Sequence, residues 1–100
     1  MALGILETAL YADDLDAAEH FYGDVLGLEK ITRVGSPHVF YRLDGSVLLN
    51  VNPAETEKPT PPGLKPFPAH GARGPGHACF KAEVSEQDAI CAKLEEAGFP

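Results

Sequence analysis

A chain of 100 residues, 44% hydrophobic and 23% charged, has the composition of a globular protein with one core. Its net charge of −7 repels phosphate backbones and anionic membranes, which argues against nucleic acid and lipid partners and leaves a small molecule. The N-terminal MALGILETALY has no basic flank and is interrupted by Glu7, so neither a signal peptide nor a membrane span is expected and a cytoplasmic location is. In that reducing setting Cys79 and Cys91 are expected as buried small hydrophobes, with a disulfide the lesser reading.

The alternation of Ile5 to Tyr11 predicts a strand with Leu6 and Leu10 toward a helix and Glu7 on the opposite side among apolar neighbours, a costly place for a carboxylate. Asp13 to Leu28 follows as one amphipathic helix. Asp13 or Asp14 caps it, Leu15, Ala18, Phe21, Tyr22, Val25 and Leu26 form its apolar stripe, and Gly27 closes it. His20 falls on its solvated side. Three further strands are predicted at Leu28 to Val34, His38 to Leu43 and Ser46 to Asn52, with Asp44-Gly45 a strong hairpin signal. His38, Phe40 and Arg42 share one side of the middle strand and Tyr41 lies on the other; either side could line a pocket, with surface pairing the simpler expectation. Residues 1–52 thus read as one β-α-β-β-β module.

From Pro53 to Gly76, seven prolines and four glycines in 24 residues exclude both a central strand and a helix. This stretch is expected as a connecting arm or linker on the surface, in which Phe67 and His70 could touch a ligand and Arg73 could clamp an anionic group. From His77, HACFKAEV predicts a strand and Ser85-Glu86-Gln87-Asp88 opens a second helix, with Ile90, Leu94 and Ala97 on its apolar side and Gly98 at its end. Aligning Glu7 with His77 places Leu10 on Phe80, with 20 residues from Glu7 to Gly27 against 21 from His77 to Gly98. Residues 77–100 therefore look like the start of a second copy of the module, cut short after its strand and helix.

On LETALYADDLDAAEHFYGDVLGLE, the hairpins after it and GPGHACFKAEVSEQDAICAKLEEAGF, the chain resembles the vicinal oxygen chelate superfamily, which includes glyoxalase I, bleomycin- and fosfomycin-resistance proteins and extradiol dioxygenases. The resemblance implies an α+β fold: a glyoxalase-like βαβββ module followed by a truncated second βα unit. In that superfamily paired modules form a cup around a divalent metal, held by the first strand of each module and the last strand of the second. Glu7 and His77 match the two first-strand positions. No residue matches the last-strand Glu, and the strand that supplies a fourth ligand in some members offers Leu49 or Asn50 here.

A carboxylate and an imidazole at such positions suit Zn, Fe, Mn or Ni, whose Lewis acidity stabilises an enediolate or catecholate on a vicinal-oxygen substrate. Glu7 could instead act as a general base. The expected function is metal-dependent lyase, isomerase or dioxygenase chemistry on a small oxygen-rich molecule. The alternative is a metal-free binding protein of the bleomycin-resistance type. An incomplete second module leaves an unpaired strand edge and an uncovered helix face, so a homodimer is expected.

Overall fold

The computed structural model describes residues 2–33, 37–65 and 68–99. Its centre is a four-stranded sheet in the order β1-β4-β3-β2, built from β1 (Glu7–Tyr11), β2 (Glu29–Thr32), β3 (His38–Leu43) and β4 (Ser46–Val51). β1 runs parallel to β4, with Glu7 opposite Val47 and Tyr11 opposite Val51, while β4 and β3 and then β3 and β2 pair antiparallel. The Asp44-Gly45 turn forms as the sequence predicts, with Gly45 at φ 75°.

The helical segment between β1 and β2 begins with Asp14, whose side chain accepts from the Ala17 N–H at 3.0 Å. It is not one regular helix. α1 (Leu15–Glu19) passes directly into a π-helical stretch, His20–Val25. The wider turn includes Gly23, which faces the Tyr41 ring. Gly27, at φ 76°, then reverses the chain as expected.

Leu15, Val39, Tyr41 and Leu48 form the core beneath this segment, with Leu10, Tyr22, Leu28 and Leu43 packed around them. Lys30 pairs with Glu19, and Arg33 reaches Asp16 and Glu19 at 2.7 Å, which ties the outer strand to α1. Lys30 first, and then Arg33, hold the Glu19 carboxyl below its ordinary value.

The arm contains a feature the sequence reading missed. Pro53–Thr56 is a short helix, α2, because proline is tolerated at the first helical position and Asn52 caps it, its side chain accepting from the Ala54 N–H at 3.0 Å. The Asn-Pro-x-Glu pattern was the available signal. Further along, the arm folds back: the His70 N–H donates to the Thr56 carbonyl at 2.9 Å, and Arg73 grips Glu57 through both guanidinium nitrogens at 2.7 and 3.2 Å. Gly71 fits against Pro53, where an added Cβ would come within 3.2 Å of the proline Cβ.

The strand expected from His77 does not join a sheet; residues 76–83 carry no strand pairing. β1 is paired only with β4, and the repeat-related segment has no counterpart of β4 to pair with. The helix after it, α3 (Val84–Glu96), starts earlier than the Ser85 pattern implied. Glu83 is its cap residue, and the Glu83 N–H donates to the Glu86 carboxylate at 3.2 Å. Its end is as expected: Gly98, at φ 90°, donates to Glu95 O and Phe99 donates to Leu94 O. Without a sheet beneath it, no residue of α3 is fully buried, although Phe99 meets Phe21 edge-on with ring centroids 5.1 Å apart. Cys79 and Cys91, expected inside, are exposed free thiols for the same reason.

Leu48→Ala leaves a cavity under the helical segment and should lower stability by about 3 kcal/mol in denaturant unfolding. The stability that Glu19 contributes is present above the ordinary carboxylate range and is lost as pH falls through its lowered value. Unfolding of Glu19→Gln should accordingly be less pH-dependent than that of the parent as pH falls through and below the ordinary carboxylate range. Gly71→Ala should lift the arm and speed hydrogen exchange at the His70 amide about fivefold, equivalent to ~1 kcal/mol of local opening; unchanged protection would contradict the close fit.

Candidate functional site

Because side chains alternate along a strand, the registers assign every strand residue to one of two faces. Thr8, Leu10, Leu48, Asn50, Val39, Tyr41 and Leu43 face the helical segment. The opposite face, the open face, presents three rows running across β1, β4 and β3: Glu7, Val47 and Arg42; Ala9, Leu49 and Phe40; Tyr11, Val51 and His38; Glu7 and Arg42 are exposed, while Leu49 and Val51 are buried. The wall is thus charged at one end, apolar in the middle, and carries phenol and imidazole at the other.

Glu7 lies on the face predicted for it, at the start of β1, but it is exposed, so this chain alone does not supply the apolar surroundings anticipated. Arg42 in its row reaches Glu29 on β2 at 3.5 Å. His77 follows Gly74-Pro75-Gly76 in an exposed segment outside the sheet. Arg73 is exposed and engaged in its bidentate pair with Glu57, which occupies the fork that an anionic substrate group would need. Phe67 lies outside the described residues.

At the other end of the wall, the arm brings His70 over the open face. The Tyr11 hydroxyl and His70 Nδ1 are 2.8 Å apart, and the His38 and His70 rings lie 6.5 Å apart, centroid to centroid. His38 also lies 5.7 Å from the Phe40 ring. Burial, and then the His70 imidazole, hold His38 below its ordinary value, while the Glu7 carboxylate pulls it up. Sequence reasoning had named His38 and His70 separately and passed over Tyr11. Tyr11 was findable, since it is four residues from Glu7 and shares its strand face.

On the helix side, the Tyr41 hydroxyl and both polar atoms of the Asn50 side chain are buried without a partner among the described residues. Burial pushes Tyr41 up to about 12. These groups face the core, away from the open wall.

Among the described residues, no three His, Cys, Asp or Glu side chains converge into a group that could hold a metal ion. Glu7 and His77 have the right chemistry as donors, but the donor set of one chain does not fit a divalent metal. Among the described residues, no helix is long and apolar enough to cross a membrane.

Comparison with known proteins agrees with this architecture. A lactoylglutathione lyase from Agrobacterium tumefaciens is 42% identical and superposes with a TM-score of 0.83 over 97% of this chain and 72% of its own. The oxidase ChaP-H2 is 25% identical with a TM-score of 0.67, over 98% of this chain and 65% of its own. A glyoxalase/bleomycin resistance protein/dioxygenase from Alicyclobacillus acidocaldarius shares the fold at 19% identity, with a TM-score of 0.58 over 97% of this chain and 65% of its own. No curated protein matches the sequence significantly. The profile of one family matches residues 4–100, nearly the whole chain, and with the sheet just described it establishes that the chain belongs to the Glyoxalase/Bleomycin resistance protein/Dioxygenase superfamily.

Proposed function

We propose that the open face of the sheet is one wall of a small-molecule cavity in a cytoplasmic homodimer, and that the dimer carries out glyoxalase- or dioxygenase-type chemistry on a vicinal-oxygen substrate. The observation that carries this reading is the position of Glu7 on the open face, in a chain 42% identical to a lactoylglutathione lyase. A carboxylate there can accept a proton from a substrate carbon or hydroxyl lying over the wall and return it to a neighbouring oxygen. The apolar middle row of Ala9, Leu49 and Phe40 excludes water from the face of a bound substrate.

A second copy is the proposed occupant of the far side. β1 is an edge strand flanked by the exposed Leu3, Ile5 and Leu6, while the repeat-related segment and α3 expose Phe80 and Val84. Covering such apolar groups favours association, and twofold pairing brings the second unit of one copy to the first unit of the other.

In the metal-dependent form of the chemistry, a Lewis acid polarises the substrate oxygens, and Glu7 and His77 are its proposed ligands. One chain does not assemble that set, so this form requires donors from both copies. The reading as a metal-free binding protein is favoured by the apolar middle row, which suits ligand burial without reaction.

The test combines turnover of lactoylglutathione, the compound in the relative's name, and of a catechol with metal analysis of the purified protein. Activity that falls at least ~100-fold in Glu7→Gln, with the oligomer unchanged, is the expected result. Stoichiometric metal lost in both Glu7→Gln and His77→Ala supports the metal-dependent form. Tight ligand binding by metal-free protein that is indifferent to Glu7→Gln would support the binding-protein reading and overturn catalysis.

A further inference from the structure

We propose that Tyr11, His38 and His70 form an oxyanion-recognising end of the cavity, which takes a carboxylate or comparable anionic oxygen of the small substrate. The inference rests on the open face lining a small-molecule cavity and adds the substrate's charge and its orientation along the wall.

The three groups come from three parts of the chain: Tyr11 from the end of β1, His38 from the start of β3 and His70 from the arm. Tyr11 and His38 stand in one row, each opposite Val51 of the strand between them. His70 lies over that row, with its ring centroid 5.8 Å from Tyr11 and 6.5 Å from His38. The Tyr11 hydroxyl and His70 Nδ1 share a hydrogen bond at 2.8 Å, and assigning the hydroxyl as its donor leaves the neutral His70 ring with its proton on Nε2. That N–H is then held in one orientation as a donor to a ligand oxygen. His38 adds a second imidazole to the same end of the wall. The Thr56 bond and the fit of Gly71 against Pro53 fix the arm from which His70 projects, so the donor is positioned before any ligand arrives.

The wall is electrically polarised. Its far row carries Glu7 and the Arg42–Glu29 pair, a net negative set. Glu7 and Tyr11 are four residues apart on one strand, a separation of ~13 Å at the usual rise per residue. An anionic group is repelled at the Glu7 end and accepted at the imidazole end, while the rest of the molecule lies along Ala9, Leu49 and Phe40. A substrate with an anionic group at one end and its reacting oxygens at the other therefore binds in one direction only.

The charged and titratable neighbours set the pH dependence. His38 faces Glu7 and Tyr11 of β1 and His70 of the arm, and beyond them lies the internally neutralised Glu57–Arg73 pair. A bound anion favours the imidazolium form of His38, which burial and the neighbouring His70 ring disfavour in the free chain, so binding takes up protons and tightens as pH falls.

The test is a titration of the full chain with benzoate and with its uncharged isostere benzamide, read from the histidine ring resonances by NMR. Benzoate should shift the His38 and His70 rings saturably, bind at least ~10-fold tighter than benzamide at pH 6, and weaken toward pH 8. His70→Ala should abolish the preference for benzoate, and Tyr11→Phe, which keeps the ring and removes the hydroxyl, should reduce it severalfold with the fold intact by circular dichroism. Equal binding of the two probes, shifts that spare both imidazoles, or no saturable response up to ~50 mM would overturn the assignment. The readout is binding and not turnover, so a benzoate preference in protein without turnover, or turnover without the preference, separates this site from the proposed reaction.

Discussion

The parallel pairing of β1 with β4 is the constraint on which the rest of the structure depends. Its register, Glu7 on Val47 through Tyr11 on Val51, sends Leu10 toward the helical segment and places Glu7 and Tyr11 on the open wall. A slip of one residue would reverse both assignments, burying a carboxylate under the helix and exposing the leucine. Leu10, packed against the core of Leu15, Val39, Tyr41 and Leu48, holds that register, because a slip would turn it away from them. The same requirement explains the second unit. A strand of the β1 kind is held by its β4, and 76–83 pairs with no strand among the described residues, so α3 buries no residue fully, with Ile90 and Leu94 half-buried and Phe99, just beyond its end, against Phe21.

Much of this was legible in the sequence, and the parts that were not have identifiable causes. Period-two alternation placed Glu7 opposite Leu6 and Leu10 on β1 and separated Tyr41 from His38, Phe40 and Arg42 on β3, and Asp44-Gly45 marked the β3–β4 hairpin, because those signals act over a few residues. The π-helical stretch was invisible because its apolar spacing imitates a regular helix, and the wider backbone bonds such as Leu26 N–H to Phe21 O distinguish it. α2 was missed because proline was read as a breaker without asking which helical position it would take. Strand propensity at HACFKAEV was real but insufficient: a strand needs a neighbour, and that information is not local.

The site shows the same division. Glu7 was recognisable as an out-of-place carboxylate on an apolar strand, whereas the Tyr11–His70 contact joins residues 59 apart and depends on how a proline-rich arm folds back. Arg73, a candidate for substrate, is one of the residues that pin that arm, through Glu57. An arm anchored by a backbone hydrogen bond, an ion pair and a glycine fit is part of the wall's architecture as well as a connection between units.

The central claim is that the open face is one wall of a cavity closed by a second copy. It is tested most directly by isotope-filtered NOE spectroscopy on a mixture of labelled and unlabelled chains, which detects only contacts between copies. The expected result is a set of intermolecular NOEs linking the His77 ring of one copy to the methyl groups of Val47 and Leu49 on the open face of its partner. A monomer at NMR concentrations, or a dimer whose contacts leave His77 in bulk solvent and the open face untouched, would contradict it.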